Sequence, residues 1–384
     1  MRKIINYGSQ TILKKDLLAV NKTLTNSFIT QGLENFQFEK KLKDYSGAKY
    51  CSTVSSGTAA LHLIGLALNW KKGDIIITTP ITFVATANSI VYSGAKPEFV
   101  DINSNTYNID LNLLERRLKK NSNNNKVKAV ICIDYAGNPC DWESLRYLAN
   151  KYKIMLINDN CHALGSKYNG DSKYAAKFAD VVSQSFHALK NITTGEGGAV
   201  ITNNREIYKK VNLLRNHGLS LQSNKFEYWK SDLLRVGYNY RLTSFQAALG
   251  ISQLSNLKSF LKLRKKIATV YDNYFKNSEY LTIPPVKKSD EHSYHLYPLL
   301  IDFEKINISK DNLFKYLLKK NFRLQVHYKP IHTFEFYKKK YGFKFGDFPN
   351  AEKFFKNEVS IPIYPKFKKR DQSIFLKYLS KLIY

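Results

Sequence analysis

The sequence predicts an α/β fold: a large domain with a mainly parallel mixed sheet flanked by helices, then a smaller C-terminal α+β domain. Two observations carry this. Between residues 50 and 205, short apolar, β-branched runs alternate with helical patterns, and such runs suit strands buried on both faces of a parallel sheet. After a capping box at Thr243-Ser244-Phe245-Gln246 opens a helix, that alternation gives way to helices around one strand candidate.

The strand runs lie at 74–78, 97–100, 127–133, 154–157, 180–183 and 198–202. Helical patterns separate several of them. Leu111, Leu114 and Leu118 recur at i, i+3 and i+7, and residues 59–68 form another apolar helical stretch. The expected division is 1–255 for the large domain and 256–384 for the small one. The small domain takes a strand at 295–301 and helices at 311–320 and 372–382. The Lys/Asn-rich run 119–126 reads as a solvated loop.

The bulk numbers agree with this plan and narrow the function. A chain of 384 residues fits a large core plus a smaller one. Its 43% hydrophobic and 14% aromatic content argues against disorder. No stretch approaches the ~20 apolar residues that cross a bilayer. The N-terminal Met1-Arg2-Lys3-Ile4-Ile5-Asn6 has no apolar region behind its basic residues, so a cytoplasmic protein without membrane insertion is expected. Cys51, Cys132, Cys140 and Cys161 form no C-x-x-C pair and no zinc spacing, which points to free thiols and no metal site. The net charge of +29 is spread along the chain, with no helix-turn-helix, RRM or zinc-finger pattern, so no nucleic-acid partner is expected. Such a surface would attract an anionic small substrate such as a nucleotide diphosphate.

Three segments carry chemistry. Ser55-Ser56-Gly57-Thr58-Ala59-Ala60-Leu61 follows a strand and opens a helix, where free N–H groups and hydroxyls suit a phosphate; a tight packing turn would use the same residues. Asp159 ends a strongly apolar strand, at the C-terminal strand end that faces the crevice where α/β folds bind ligands; an N-cap or Asx turn is the plain alternative. Lys190 sits between two strands in Ser185-Phe186-His187-Ala188-Leu189-Lys190-Asn191-Ile192-Thr193-Thr194-Gly195-Glu196-Gly197-Gly198, where partial desolvation would make it an amine nucleophile; one lysine among 60 Lys and Arg residues is otherwise an ordinary surface cation.

Taken in order, these blocks resemble the DegT/DnrJ/EryC1/StrS family of sugar-nucleotide aminotransferases, which have the type I fold of pyridoxal-phosphate enzymes. The resemblance runs over essentially the whole chain. It includes Phe28-Ile29-Thr30-Gln31-Gly32, Pro80-Ile81-Thr82-Phe83-Val84-Ala85-Thr86, Arg215-Asn216-His217-Gly218, Gly237-Tyr238-Asn239-Tyr240-Arg241 and His327-Tyr328. It implies pyridoxal 5'-phosphate as cofactor, alternating with pyridoxamine 5'-phosphate, and a role for each matching position. Lys190 is the covalent anchor and base, and Asp159 pairs with the pyridine nitrogen. Phe83 stacks on the ring and His162 lies beside it. Ser56, Gly57, Thr58 and Ser185 hold the phosphate. Asn239 reaches the phosphate in the other subunit, which implies a homodimer with shared sites. Thr30, Gln31, Gly32, His187, Glu196 and Tyr328 fall to the substrate. The chain departs from the family around the aspartate, where Asn158, Asn160 and Cys161 replace a frequent Glu and two small residues.

The implied reaction moves an amino group from glutamate to a nucleotide-linked keto-sugar. The 185–198 block and Ala136-Gly137-Asn138-Pro139-Cys140-Asp141 are most similar to enzymes of pseudaminic acid synthesis, which aminate C4 of a UDP-linked 4-keto-6-deoxy-N-acetyl sugar. GDP- or dTDP-linked 4-keto (perosamine-like) or 3-keto sugars are the alternatives. A sugar dehydratase branch resembles the same scaffold but carries His at the lysine position, so Lys190 argues for transamination.

Overall fold

The computed structural model describes residues 4–25, 28–121, 126–220 and 229–383. The chain enters through a two-residue strand, β1 (Ile5–Asn6), and then builds the main sheet. Its strands are β2 (Tyr50–Val54), β3 (Ile75–Thr78), β4 (Lys96–Phe99), β5 (Val127–Ile133), β6 (Met155–Asp159), β7 (Val181–Ser185) and β8 (Gly198–Thr202). Among the described residues these form one seven-stranded sheet in the order β2-β8-β7-β6-β5-β3-β4. Strands β3 to β7 pair in parallel, while β8 runs antiparallel to both β7 and β2.

The apolar runs become strands because both faces of the sheet are covered. Along β5, Val130 and Cys132 enter one apolar core and Ala129 and Ile131 enter the other. The helix Gly57–Ala67 packs Leu63 and Ile64 on the second face, and the helix Trp142–Lys151 packs Leu145 and Leu148 on the first. The chain leaves β3 outward to β4, then returns to β5 and proceeds the other way through β6 and β7. That reversal opens a crevice at the C-terminal strand ends, where doubly wound sheets bind ligands.

The capping box forms as its residues predict. Thr243 N–H donates to Gln246 Oε1 over 3.2 Å, and the Thr243 hydroxyl donates to the same oxygen over 2.7 Å. The helix it opens, Ser244–Phe275, runs unbroken past residue 255. Beyond it lie β9 (Leu281–Thr282), β10 (Tyr297–Ile301), β11 (Phe322–Arg323) and β12 (Glu358–Ile361). The order β12-β10-β9 makes a small antiparallel sheet. Helices Lys310–Lys319 and Lys369–Ile383 contribute Leu313, Phe375 and Leu379 to its core. The first strand β1 pairs in parallel with β11, so the N-terminal segment lies against this C-terminal part.

One expectation changes. The helix Leu111–Asn121 takes in Lys119 and Lys120, which read as loop; Leu114 and Leu118 are buried, and their stripe carries the helix on with the lysines outside. Residues 122–125 of that run, and residues 1–3, lie outside the described residues.

Two buried polar groups fasten the strand ends that matter. Asp134, just past β5, is fully buried and receives five donors. Oδ1 accepts from Cys140 N–H (2.8 Å) and Trp142 Nε1 (3.0 Å). Oδ2 accepts from Asn158 (3.1 Å), Asn160 (2.9 Å) and the Tyr174 hydroxyl (2.7 Å). Burial pushes this carboxyl up from its ordinary value while the donors pull against it, and a set made of donors fits the ionised form. The asparagines that depart from the family pattern therefore have a partner: they clamp both sides of Asp159 onto β5. Arg264, in the middle of the long helix, is 2% exposed, and its Nη1 donates to the carbonyls of Tyr294 (3.0 Å), His295 (3.2 Å) and Ile363 (2.9 Å).

Asp134→Asn turns an amide N–H2 toward this donor set. It should cost on the order of 3 kcal/mol in urea unfolding, since a buried donor left unpaired costs ~1–3 kcal/mol. Arg264→Leu should cost a similar ~3 kcal/mol by stranding three carbonyls. A change below about 0.5 kcal/mol for either variant would contradict these roles.

Candidate active site

The crevice holds a cavity of about 390 Å³ at the ends of β6 and β7 and the start of the helix Gly57–Ala67. At that helix start, Ser56 is the N-cap, its Oγ accepting from Ala59 N–H over 3.0 Å. Gly57 lies against Ser185 at the end of β7; a Cβ at position 57 would stand 2.8 Å from the Ser185 Cβ. Only a glycine permits this approach, which gathers free N–H groups with the side chains of Ser56, Thr58 and Ser185 along one cavity wall.

Asp159 closes β6 and is 5% exposed. Its Oδ2 accepts from the Thr86 hydroxyl over 2.7 Å; Oδ1 accepts from Cys161 N–H (3.3 Å) and the Ser183 hydroxyl (3.4 Å). Thr86 is in turn 2.8 Å from the Thr82 hydroxyl. Lys190 enters the same cavity from the loop between β7 and β8, its Nζ 3.5 Å from His295 Nε2. Burial lowers its pKa from the ordinary lysine value, with Asp159 pulling the other way.

Three buried histidines surround this lysine. His162 accepts from Ala136 N–H at Nδ1 (3.3 Å) and meets the Tyr328 hydroxyl at Nε2 (3.0 Å), a pattern that assigns the proton to Nε2. Its ring lies 4.6 Å from that of His295. Burial first, and Lys190 second, hold His162 and His295 well below the ordinary imidazole value, and push His327 down to about 3. All three are neutral at physiological pH.

Phe83 is the N-cap residue of the helix Val84–Tyr92 and stands 54% exposed in the cavity mouth, 5.9 Å from the Tyr328 ring. Plain core packing is excluded for it. His187 and Glu196 face each other across the opening at 3.9 Å. The structure thus brings Ser56, Gly57, Thr58, Phe83, Asp159, His162, Ser185, His187, Lys190, Glu196 and Tyr328 to one cavity. Thr30, Gln31, Gly32 and Asn239 are not among its lining residues. Gln31 lines a separate cavity of about 150 Å³ with Arg215, Asn216 and Arg241, and Asn239 is exposed and bridged to Asn216.

Sequence reasoning singled out neither Thr82 and Thr86 nor His295 and His327 as site residues, nor Tyr7. The threonines had a signal: spaced i, i+4 around a helix start, their hydroxyls share a face. His295 and His327 come from the C-terminal part, and nothing local to them points at β6.

The donor set suits a phosphorylated pyridine aldehyde. N–H groups and hydroxyls wait at the helix start for an anion, a half-buried amine for a carbonyl, and a buried carboxylate for a basic ring nitrogen. Among the described residues no three His, Cys, Asp or Glu side chains stand together as a metal-holding group, and no helix is long and apolar enough to cross a membrane.

Known proteins agree. The chain is 42% identical over 368 residues to the UDP-4-amino-4,6-dideoxy-N-acetyl-beta-L-altrosamine transaminase of Campylobacter jejuni, covering 96% of this chain and 94% of the relative. The fold matches Helicobacter pylori PseC, an aminotransferase of pseudaminic acid biosynthesis, with a TM-score of 0.90 at 34% identity over 99% of both chains. It also matches the sugar aminotransferase Spr1654 of Streptococcus pneumoniae, solved in pyridoxamine- and pyridoxal-phosphate forms, with TM-scores of 0.90 and 0.89 at 29% identity over 98–99% of this chain and 98% of that one. The aminotransferase family match itself spans residues 10–378, nearly the whole sequence, and the chain therefore belongs to the DegT/DnrJ/EryC1/StrS aminotransferase family.

Proposed function

We propose that this protein is a pyridoxal-phosphate-dependent aminotransferase that moves an amino group from glutamate to C4 of a UDP-linked 4-keto-6-deoxy-N-acetylhexosamine. The observation that carries the reading is one cavity holding the Lys190 amine, the Asp159 carboxylate and the Ser56–Thr58 helix start together. The substrate assignment is supported by the names of the relatives that match over almost the full chain.

The bound cofactor supplies an electron sink that stabilises negative charge on the substrate carbon. The protein supplies the rest. Ser56, Thr58 and Ser185 with the helix N–H groups fasten the phosphate, and Asp159 holds a proton on the ring nitrogen. Thr86 and Ser183 donate to Asp159 and fix its orientation. Phe83 would stack on the ring, and His162, locked between Ala136 and Tyr328, would lie beside it. Burial keeps more of Lys190 in the free amine form, so it would serve as anchor and as the base that carries a proton between the donor's α-carbon and the cofactor's aldehyde carbon. His187 and Glu196 at the mouth meet the nucleotide-sugar.

The working unit in this reading is a homodimer. The Thr30–Gly32 segment and the Asn239 segment meet at the smaller cavity, and exposed Phe28, Leu33 and Phe36 flank the first while exposed Leu234 and Val236 flank the second. A second copy seated there would bury these side chains and bring Asn239 to the partner's phosphate.

Lys190→Ala should abolish transamination and the visible absorbance of the covalently held cofactor. Asp159→Asn should cut kcat by a factor of a hundred or more, of the order seen when a key electrostatic partner is removed. Full activity in either variant would refute the assignment. A panel of UDP-, GDP- and dTDP-linked keto-sugars with glutamate, read by mass and NMR, tests the substrate; turnover of only GDP- or dTDP-sugars would overturn the UDP reading. Mixing the Lys190→Ala and Asn239→Ala proteins should regain activity through the one intact site of a mixed dimer, and no recovery would count against shared sites.

A further inference from the structure

His327 reaches the cavity from the C-terminal part, but it does not end there. Its Nδ1 lies 2.8 Å from the Ser360 hydroxyl, and that hydroxyl lies 2.5 Å from Glu358 Oε1. The other carboxylate oxygen, Oε2, accepts from the His327 backbone N–H over 2.8 Å. Glu358 and Ser360 are both 0% exposed and sit at i and i+2 on β12, so both side chains leave the strand on the same face, toward His327. The Tyr135 hydroxyl donates to the His327 carbonyl, and Ser360 N–H donates to Gln325 O over 2.8 Å, so both ends of the chain are held. A fully buried glutamate bonded to a serine is a costly element in a small core, and the reaction steps above make no use of it.

We propose that Glu358, Ser360 and His327 form a proton relay that removes a proton from the amino donor's ammonium in the cavity and stores it on Glu358. The relay has two states. In one, the Glu358 carboxylate accepts from the Ser360 hydroxyl, Ser360 accepts from His327 Nδ1–H, and the Nε2 lone pair faces the cavity. In the other, Glu358 is a carboxylic acid donating to Ser360, Ser360 donates to Nδ1, and Nε2 carries the proton. Passing from the first to the second breaks one N–H bond of the ammonium and forms one at Nε2. The Nδ1 proton moves to the serine oxygen, and the serine proton moves to Glu358. One proton enters, the imidazole is neutral before and after, and the donor is left as the free amine that can attack. The reverse passage returns the proton when the aminated product leaves as an ammonium, so the two half-reactions balance.

The surroundings suit this direction of transfer. Burial pushes the Glu358 carboxyl above the ordinary carboxylate range, with Lys310 pulling the other way, and burial pushes the His327 imidazole down. A proton arriving at Nε2 is therefore passed on rather than kept. Glu358 faces Lys310, with Asp311 behind it, and the phenols of Tyr107, Tyr135 and Tyr328. His327 faces Lys190, His162, His295 and the Tyr7 ring. The two other histidines lack an outlet: both nitrogens of His162 are engaged, and His295 Nδ1 is buried without a partner. Lys190 is engaged as anchor when the donor arrives. Glu358 and Ser360 are positioning residues, acting through His327.

The relay rests on the amino-transfer reading, yet its proton states can be read apart from it. In the holoenzyme labelled with 15N-histidine, His327 should stay neutral from about pH 6 to about pH 10. It should change from the Nε2–H to the Nδ1–H tautomer as pH rises. In Glu358→Gln the amide oxygen takes the His327 backbone N–H and the NH2 donates to Ser360, so the variant should hold His327 in the Nε2–H form throughout. In stopped-flow measurement of the donor half-reaction, Glu358→Gln should slow the rate at least tenfold and flatten its pH profile, with donor KM within about twofold; Glu358→Asp should restore part of both. Ser360→Ala cuts the chain by a separate change and should also fix the tautomer. An imidazolium at His327 in this range, or a tautomer change that survives both variants, would overturn the relay. If glutamate gives no half-reaction with the parent protein, the donor assignment fails, while the tautomer measurement still decides the relay.

Discussion

The position of Asp159 rests on a second carboxylate that never reaches the cavity. Asp134 is buried at the end of β5 and receives Asn158 and Asn160, the residues on either side of Asp159. Successive side chains on a strand point to opposite faces, so the two asparagines point away from Asp159. Tying both of them to one anion sets the roll of β6 about its axis and aims Asp159 at the crevice. Tyr174, Trp142 and the Cys140 N–H complete the anion's shell. A buried charge of this kind is stabilising only when every lone pair is used, and here five donors meet two oxygens. The same strand end then carries Thr86 and Ser183 on Asp159, so one buried anion orients another at one remove.

This arrangement ties the large sheet to the C-terminal part. His295 and His327 enter the cavity from segments fastened by Arg264 and by β12. Tyr328 then bonds back to His162, which follows β6. The Tyr328–His162 bond crosses between the two parts of the chain, as does the approach of Lys190 to His295. The cavity is therefore shaped by the C-terminal part as much as by the sheet that holds Lys190 and Asp159.

This division also explains which features were legible in the sequence. The sheet was legible because its strands are buried on both faces and read as apolar runs, and β3 to β8 fall within a few residues of those runs. Lys190, Asp159 and the Ser56–Thr58 start were legible because each sits at a strand or helix end, where local pattern and chemistry coincide. Strand β12 was not: its first residue is glutamate, and four residues beginning with a charge read as surface. His295 and His327 were not, because their meeting with Lys190 depends on 105 and 137 residues of intervening chain folding into place. The smaller cavity at Gln31 and Arg241 is built from segments some 200 residues apart, and it is equally invisible to any local window.

A transaminase must admit an amine donor and a carbonyl acceptor to one place in turn, and the composition of this cavity answers that demand. Permanent charge is sparse on its lining: Asp159, Glu196 at the mouth, and a lysine whose charge burial weakens. The remaining polar groups are hydroxyls, the Cys161 thiol, His187 at the mouth and three buried histidines held neutral. A fixed guanidinium would favour one charged partner and hinder release of the other. A neutral imidazole can donate or accept according to its tautomer, and only His327 is wired to a group that can change that tautomer. Storing the proton on the buried Glu358 carboxyl of β12 leaves the His327 imidazole neutral through both halves of the reaction. The low-polarity surroundings of Lys190 are thus preserved at each exchange of substrate.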